Sequence, residues 1–159
     1  HDALPILDFL SNRLKNFTLS GNLSYIHSKV KDTAALNRPL QGQSPYLINV
    51  GLMYDQEKAG FSATLLFNQI GRRILYVGNE AISNIWENPR PLLDLQITQK
   101  ILKKKAELRL SINDILNKRA YFYHDLDDSG SYKTNSKDVL AISRNYGTNV
   151  SITFGYKLK

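Results

Sequence analysis

The chain has 159 residues, a length typical of one domain, and a formal net charge of +7. It contains no cysteine, which excludes disulfides, thiol nucleophiles and thiolate metal sites within these residues. The densest run of cations, Lys103 to Lys105, lies between two strand patterns and indicates a solvated turn, so no nucleic-acid partner is expected.

The first half of the chain predicts three strands. Residues 1–15 mix apolar and polar side chains, and either a short helical turn or a packed turn between strands fits them. Beyond them, apolar residues alternate with polar ones, which is the pattern of a strand with two unlike faces. The predicted strands cover residues 17–29, 45–54 and 61–68, separated by an irregular stretch at 30–44 and a short turn at 55–60.

The second half repeats this arrangement with longer interruptions. The predicted strands cover residues 93–101, 106–113 and 146–158. A lysine-rich turn at 102–105 joins the first two of them, and irregular stretches are expected at 71–90 and 114–145. Long and short connections therefore alternate, as they do in antiparallel barrels that cross a membrane, where outer loops are long and periplasmic turns are short.

The final strand carries aromatic residues at both ends of an apolar row. A tilted strand of about 9–11 residues spans a bilayer, and aromatic side chains suit the two interfaces between lipid and water. A strand of this kind at a C-terminus resembles the closing strand of an outer-membrane barrel, which in that family also serves as the assembly signal. The residues that carry this pattern are Tyr146, Gly147, Val150, Ile152, Phe154 and Tyr156.

The shared phase of the strands predicts one lipid face and one lumen face. Charges in the polar rows, such as Asp94 and Arg109, are costly in a dry sandwich core but suit a watery or plugged lumen. The residues expected to face lipid are Val50, Leu65, Leu95, Leu110 and Ile152. Those expected to face the lumen are Asn49, Thr64, Gln96 and Ser111.

The fold prediction is an all-β, antiparallel, up-and-down transmembrane β-barrel of which the chain forms a part. About six strands are visible, whereas the smallest membrane barrels need about eight, so this wall does not close on itself. The alternatives are a soluble all-β binding module, such as a carbohydrate-binding sandwich, and a passive porin or adhesin barrel.

Four motifs in sequence order carry a resemblance to one family. They are the stretch 37–49 (NRPLQGQSPYLIN), the stretch 108–117 (LRLSINDILN), the Tyr- and Asp-rich loop that follows it, and Arg144 to Gly147 at the start of the last strand. Together they resemble the barrels of TonB-dependent outer-membrane receptors of the Bacteroidetes type. Leu158 and Lys159 depart from the terminal Phe common in that family, so Phe154 or Tyr156 takes the aromatic role.

The resemblance implies a larger transporter. Residues 1–159 would be the C-terminal segment of a barrel of roughly 22 strands, with the plug and the preceding strands N-terminal to it. Such receptors import siderophores, cobalamin, glycans or peptides with energy passed on by TonB. The partners implied are outer-membrane lipid and lipopolysaccharide, the plug and upstream strands, TonB, the barrel-assembly machinery and a surface lipoprotein.

The loop after the fifth strand opens like a calcium loop. Asp125, Asp127 and Asp128 precede Gly130, with oxygen ligands at alternate positions and a turn glycine at the sixth. The twelfth position holds Ser136 instead of a bidentate glutamate, and Asp138 lies off register. An ordinary outer turn is therefore the alternative, and no site tighter than about millimolar is expected.

Aromatic residues in the predicted outer loops are candidate ligand contacts. Trp86, Tyr121, Tyr123 and Tyr132 suit stacking on a sugar or an aromatic ligand, and packing between loops is the alternative. The sequence contains no nucleophile elbow, zinc-protease motif or phosphate-binding glycine loop, so neither an enzyme nor a cofactor is predicted.

Overall fold

The computed structural model describes residues 14–30, 38–79 and 81–158. Most of the segment 1–15, for which a helical or packed turn was predicted, lies outside the described residues, which begin at position 14. Part of the irregular stretch predicted at 30–44 also lies outside them. None of the helical structure in the described ranges is long and apolar enough to cross a membrane.

The described chain is built of β-strands. They are β1 (Phe17–Tyr25), β2 (Tyr46–Gln56), β3 (Phe61–Ile70), β4 (Arg73–Tyr76), β5 (Ile85–Glu87), β6 (Arg90–Ile101), β7 (Ala106–Asn113), β8 (Ala120–His124), β9 (Val139–Arg144) and β10 (Asn149–Tyr156). Six of them form one sheet in the order β1-β2-β3-β6-β7-β10, and four form another in the order β4-β5-β8-β9.

The six-stranded sheet is an up-and-down antiparallel meander, as the alternation predicts. The turn between β2 and β3 and the turn between β6 and β7 are short, while the three other connections are long. In the second short turn, Leu102, Lys103 and Lys104 have positive φ angles. A left-handed turn of this kind matches the right-handed twist of the strands that it joins.

One face of this sheet is apolar across its whole width. Directly opposed residues in antiparallel strands project to the same face, so the register defines rows of neighbouring side chains. One complete row reads Leu19, Leu52, Leu65, Leu95, Ile112 and Val150. Its outermost members are largely exposed, at 74% for Leu19 and 61% for Val150. The prediction that the apolar residues of all six strands lie on one face is therefore confirmed.

The opposite face is mostly polar. The adjacent row reads Thr18, Met53, Thr64, Gln96, Ser111 and Ser151. Charged side chains share this face: Lys100 lies opposite Glu107, and Nη2 of Arg109 contacts Oε1 of Glu107 at 2.7 Å. Methionine is the one apolar member of the row.

The second sheet corrects two predictions. Residues 71–90 and 114–145, expected to be irregular, contain β4, β5, β8 and β9. Along the chain, β4 follows β3, β5 precedes β6, β8 follows β7 and β9 precedes β10. The order β4-β5-β8-β9 in the second sheet therefore matches the order β3-β6-β7-β10 in the first. The four-stranded sheet is therefore a continuation of the meander beyond its long-loop end, and we call it the outer sheet.

Most of the buried apolar side chains among the described residues lie in the outer sheet. Ile74 and Tyr123 are fully buried, and Phe122 is 5% exposed. Phe122 and Tyr123 are neighbours on β8 and project to opposite faces, so the outer sheet is covered on both sides there. The six-stranded sheet, which we call the main sheet, lacks this covering: the large apolar residues of its outermost strands are exposed.

Several strand ends differ from the prediction, and the first and last strands are shorter than expected. The first strand was expected to reach Lys29 but ends at Tyr25, although the amide of Ile26 still donates to the carbonyl of Pro45 at 2.9 Å. The last strand was expected to begin at Tyr146 but begins at Asn149. Gly147, whose φ is +78°, makes the turn that precedes it.

Candidate functional site

The aromatic residues predicted as ligand contacts come together on the outer sheet. Trp86 of β5 is paired with Tyr123 of β8. The ring of Tyr132 stacks on that of Tyr121 at 5.2 Å and is tilted against that of Tyr123 at 5.6 Å. Tyr123 is completely buried, so its ring packs against protein. Trp86, Tyr121 and Tyr132 are partly exposed.

Arg72 connects this aromatic cluster to the acidic loop. Its guanidinium carbon lies 3.6 Å from the centre of the Trp86 ring, a cation–π contact. Its Nη1 contacts Oδ2 of Asp125 at 2.5 Å, and the Asp125 side chain is only 2% exposed. The amide of Gly130 donates to the same oxygen at 3.2 Å. A buried, charge-assisted contact of this kind positions the loop on the sheet.

Three carboxylates gather in the loop between β8 and β9. Oxygens of Asp125, Asp127 and Asp138 all lie within 4.8 Å of one another. The sequence predicted Asp125, Asp127 and Asp128 for this site, and the structure puts Asp138 in the group in place of Asp128. Asp138 joins the group because the loop folds back on itself: the amide of Leu126, next to Asp125, donates to Oδ1 of Asp138 at 3.1 Å.

The acidic group and the neighbouring Tyr123 each contain a buried polar atom. Oδ1 of Asp125 and the hydroxyl of Tyr123 are buried without a hydrogen-bond partner among the described residues. Burial raises the pKa of Tyr123, Arg72 opposes that shift, and the negative charges of Asp125 and Asp138 add to it. Hydrogen bonds from Ser129 lower the pKa of Asp127, which is exposed.

A cleft of about 430 Å³ opens beside Arg72 and Trp86. The described residues that line it supply cations and aromatic rings but no carboxylate; they are Tyr25, Ile26, His27, Ser28, Lys29, Arg38, Pro39, Gln43, Ser44, Pro45, Arg72 and Trp86. Oε1 of Gln43 is buried without a partner in the described part of the chain. Guanidinium groups beside an indole ring suit a ligand with anionic or sugar groups.

The stretch 37–49, which carried part of the resemblance, forms one wall of this cleft. The amide of Gly42, where φ is +76°, donates to the carbonyl of Ile74 at 2.8 Å. The side chain of Gln41 donates to the carbonyl of Leu75 at 2.8 Å. A side chain at Gly71 would place its Cβ 2.7 Å from the Tyr46 ring, so glycine permits the close approach there.

Sequence patterns did not single out Arg72, Lys29, Arg38 or Gln43. Lys29 was expected at the end of the first strand, Arg38 and Gln43 belong to the stretch 37–49, and Arg72 was expected in an irregular stretch. Their proximity depends on how the outer strands pair. Two signals were available: the motif at 37–49, and Gly71, a glycine at the end of an alternating strand, which marks a break or a close backbone approach.

The predicted assembly residues divide into two groups. Val150, Ile152, Phe154 and Tyr156 alternate along β10 and are 52–72% exposed on its apolar face. Tyr146 and Gly147 precede the strand. The guanidinium carbon of Arg90 lies 4.9 Å from the centre of the Tyr146 ring, which anchors the start of β10 to β6.

Comparison with known proteins gives one finding. No curated protein and no solved structure shows a significant match to this chain. A family model described as an outer membrane protein beta-barrel family matches residues 7–154, which is most of the chain. The all-β meander, with one apolar and one polar face, is the architecture that this family requires. The chain therefore belongs to the outer membrane protein β-barrel family, and its location is the outer membrane.

Proposed function

We propose that the chain forms part of the wall and the outer loops of a TonB-dependent receptor that imports a bulky nutrient. The candidate cargo classes are those implied by the resemblance: a siderophore, cobalamin, a glycan or a peptide. The receptor's plug and further barrel strands, TonB and the barrel-assembly machinery are proposed partners. Outer-membrane lipid, lipopolysaccharide and a surface lipoprotein complete the proposed surroundings.

The observation that carries the proposal is the open apolar sheet. Within the described residues, β1 and β10 lie at the two edges of the six-stranded sheet and each has one neighbour. In hydrocarbon an unpaired backbone edge costs several kcal/mol per unsatisfied group, so membrane sheets close into barrels. We infer that further strands of the same receptor pair with both edges. A larger barrel of this kind is the size class that holds a plug.

The polar face supports a filled lumen. Glu107, Lys100 and Arg109 lie on this face, and Oδ1 of Asp94 accepts a hydrogen bond from the amide of Asp114 at 2.8 Å. Charged groups keep most of their solvation beside water or beside a polar plug domain, but not in a dry core. The resemblance of four motifs to those of TonB-dependent receptors favours the plugged transporter over an open pore.

Planar-bilayer conductance of the complete protein tests this proposal. A plugged receptor should show almost no steady ionic current at rest. Large channels should appear when a denaturant such as urea unfolds the plug, and they should close again when the denaturant is removed. A passive porin lacks a plug and would conduct from the moment of insertion. Steady open channels without denaturant would therefore contradict the proposed transporter.

A further inference from the structure

We propose that the loop between β8 and β9 binds a calcium ion through Asp125, Asp127 and Asp138. This site is independent of which nutrient the receptor carries. The spacing of the oxygens is the first observation behind it. Calcium holds oxygen ligands at about 2.3–2.6 Å, so two ligands of one ion are at most about 5.2 Å apart. The three carboxylates, within 4.8 Å of one another, fit around a single ion.

The buried atoms without partners are the second observation. The Asp125 side chain is 2% exposed, and its Oδ2 is occupied by Arg72 and Gly130. Its other oxygen, Oδ1, is buried without a donor among the described residues. Burying a carboxylate oxygen without a partner is unfavourable, and a cation removes that penalty. Oδ1 is thus the oxygen left for the ion.

The charge balance also favours a divalent cation. Three carboxylates and the single guanidinium of Arg72 leave a net charge of −2 in the group. Like charges at this spacing repel one another, and a divalent ion neutralises them. The donors are all oxygens, which are the ligands of calcium and magnesium rather than of zinc or copper.

The backbone of the loop suits calcium in particular. Asp125, Asp127 and Ser129 stand at alternate positions, and Gly130 makes the turn with φ at +76°. The third carboxylate comes from position fourteen of the loop, where Asp138 directly precedes β9. Calcium tolerates irregular coordination of this kind, whereas magnesium requires a nearly ideal octahedron. The ion would therefore join the end of β8 to the start of β9.

Terbium luminescence on the complete protein in detergent tests the site. Terbium occupies calcium sites and emits light when a nearby tyrosine is excited, and Tyr123 lies two residues before Asp125. We expect saturable luminescence that calcium displaces with a Kd of about 0.1–1 mM, the range of extracellular calcium modules and tighter than the loop sequence alone predicts. Magnesium at the same concentration should not displace it.

Matched variants separate the site from general surface charge. Asp127→Asn and Asp138→Asn should each weaken calcium binding by about tenfold or more, because each removes a charged ligand. Asp128→Asn is the control, since Asp128 lies outside the group, and its Kd should stay within about twofold. Asp127 is exposed, so its substitution leaves the fold intact. Absence of saturable calcium binding below about 10 mM, or equal weakening by the Asp128 variant, would overturn the proposal.

Discussion

Adjacent residues in the main sheet meet opposite environments. Leu65 stands in a row of apolar side chains across all six strands, whereas Thr64 stands in the polar row beside it. The two differ by one position along β3 and lie at nearly the same depth in the membrane. This pair therefore isolates the effect of the face from the effect of depth.

Arginine substitution at these two positions should give unequal costs. Leu65→Arg, on the lipid face, should lower the free energy of unfolding by roughly 2–4 kcal/mol near the middle of the bilayer. Thr64→Arg should cost much less, because the charge stays on the polar face. Reversible guanidinium unfolding of the complete protein in lipid vesicles measures both values. Equal costs would mean that the face assignment is wrong.

At the level of the element, alternation made the main sheet predictable. Each of its strands has one apolar and one polar face, so the alternation of residues such as Leu65 and Thr64 indicates a strand from the sequence alone. The outer strands are three to six residues long and carry no such signal. In β8, Phe122 and Tyr123 are both buried although they face opposite sides, which removes the alternation.

The acidic group was also predictable only in part from the sequence. The carboxylates at 125 and 127 were predictable because they follow a known spacing. Asp138 was not, since it reaches the group through the folding of the loop and its contact with Leu126. The exclusion of Asp128, whose φ is +53°, depends on local backbone direction that spacing does not reveal.

Arg72 should hold the outer sheet together. Arg72→Ala removes the cation above Trp86 and leaves the 2%-exposed Asp125 without its cationic partner. Breaking a buried ion pair in this way costs about 3–5 kcal/mol. We expect faster hydrogen exchange in β8 and a red-shifted emission from Trp86, the single tryptophan of the chain.

Arg109→Ala is the matched control for this experiment. The pair formed by Arg109 and Glu107 is 44% and 34% exposed, and an exposed pair contributes about 0–1 kcal/mol. Its loss should leave both the exchange in β8 and the tryptophan emission unchanged. If the two variants behave alike, the contact between Arg72 and Asp125 does not organise the outer sheet.

At the level of the whole molecule, we expect the main sheet to be stable only when lipid and neighbouring strands cover it. Its apolar face includes Leu19, Leu23 and Ile152, which are 72–76% exposed. Exposed apolar surfaces of this extent, together with two edges that have no partner strand in the described ranges, cause aggregation in water. Lipid covers the face, and in the proposed receptor neighbouring strands cover the edges. In the outer sheet, by contrast, β8 already has a buried core, with Phe122 and Tyr123 at 5% and 0% exposure.

The most direct test of this account is the state of residues 1–159 expressed alone in water. Sedimentation velocity without detergent or partner should show aggregates, and circular dichroism should show no cooperative melting. The complete protein in detergent should instead be a discrete particle rich in β-structure. A soluble, monomeric chain of 159 residues that melts cooperatively would contradict the account and favour a soluble β-module.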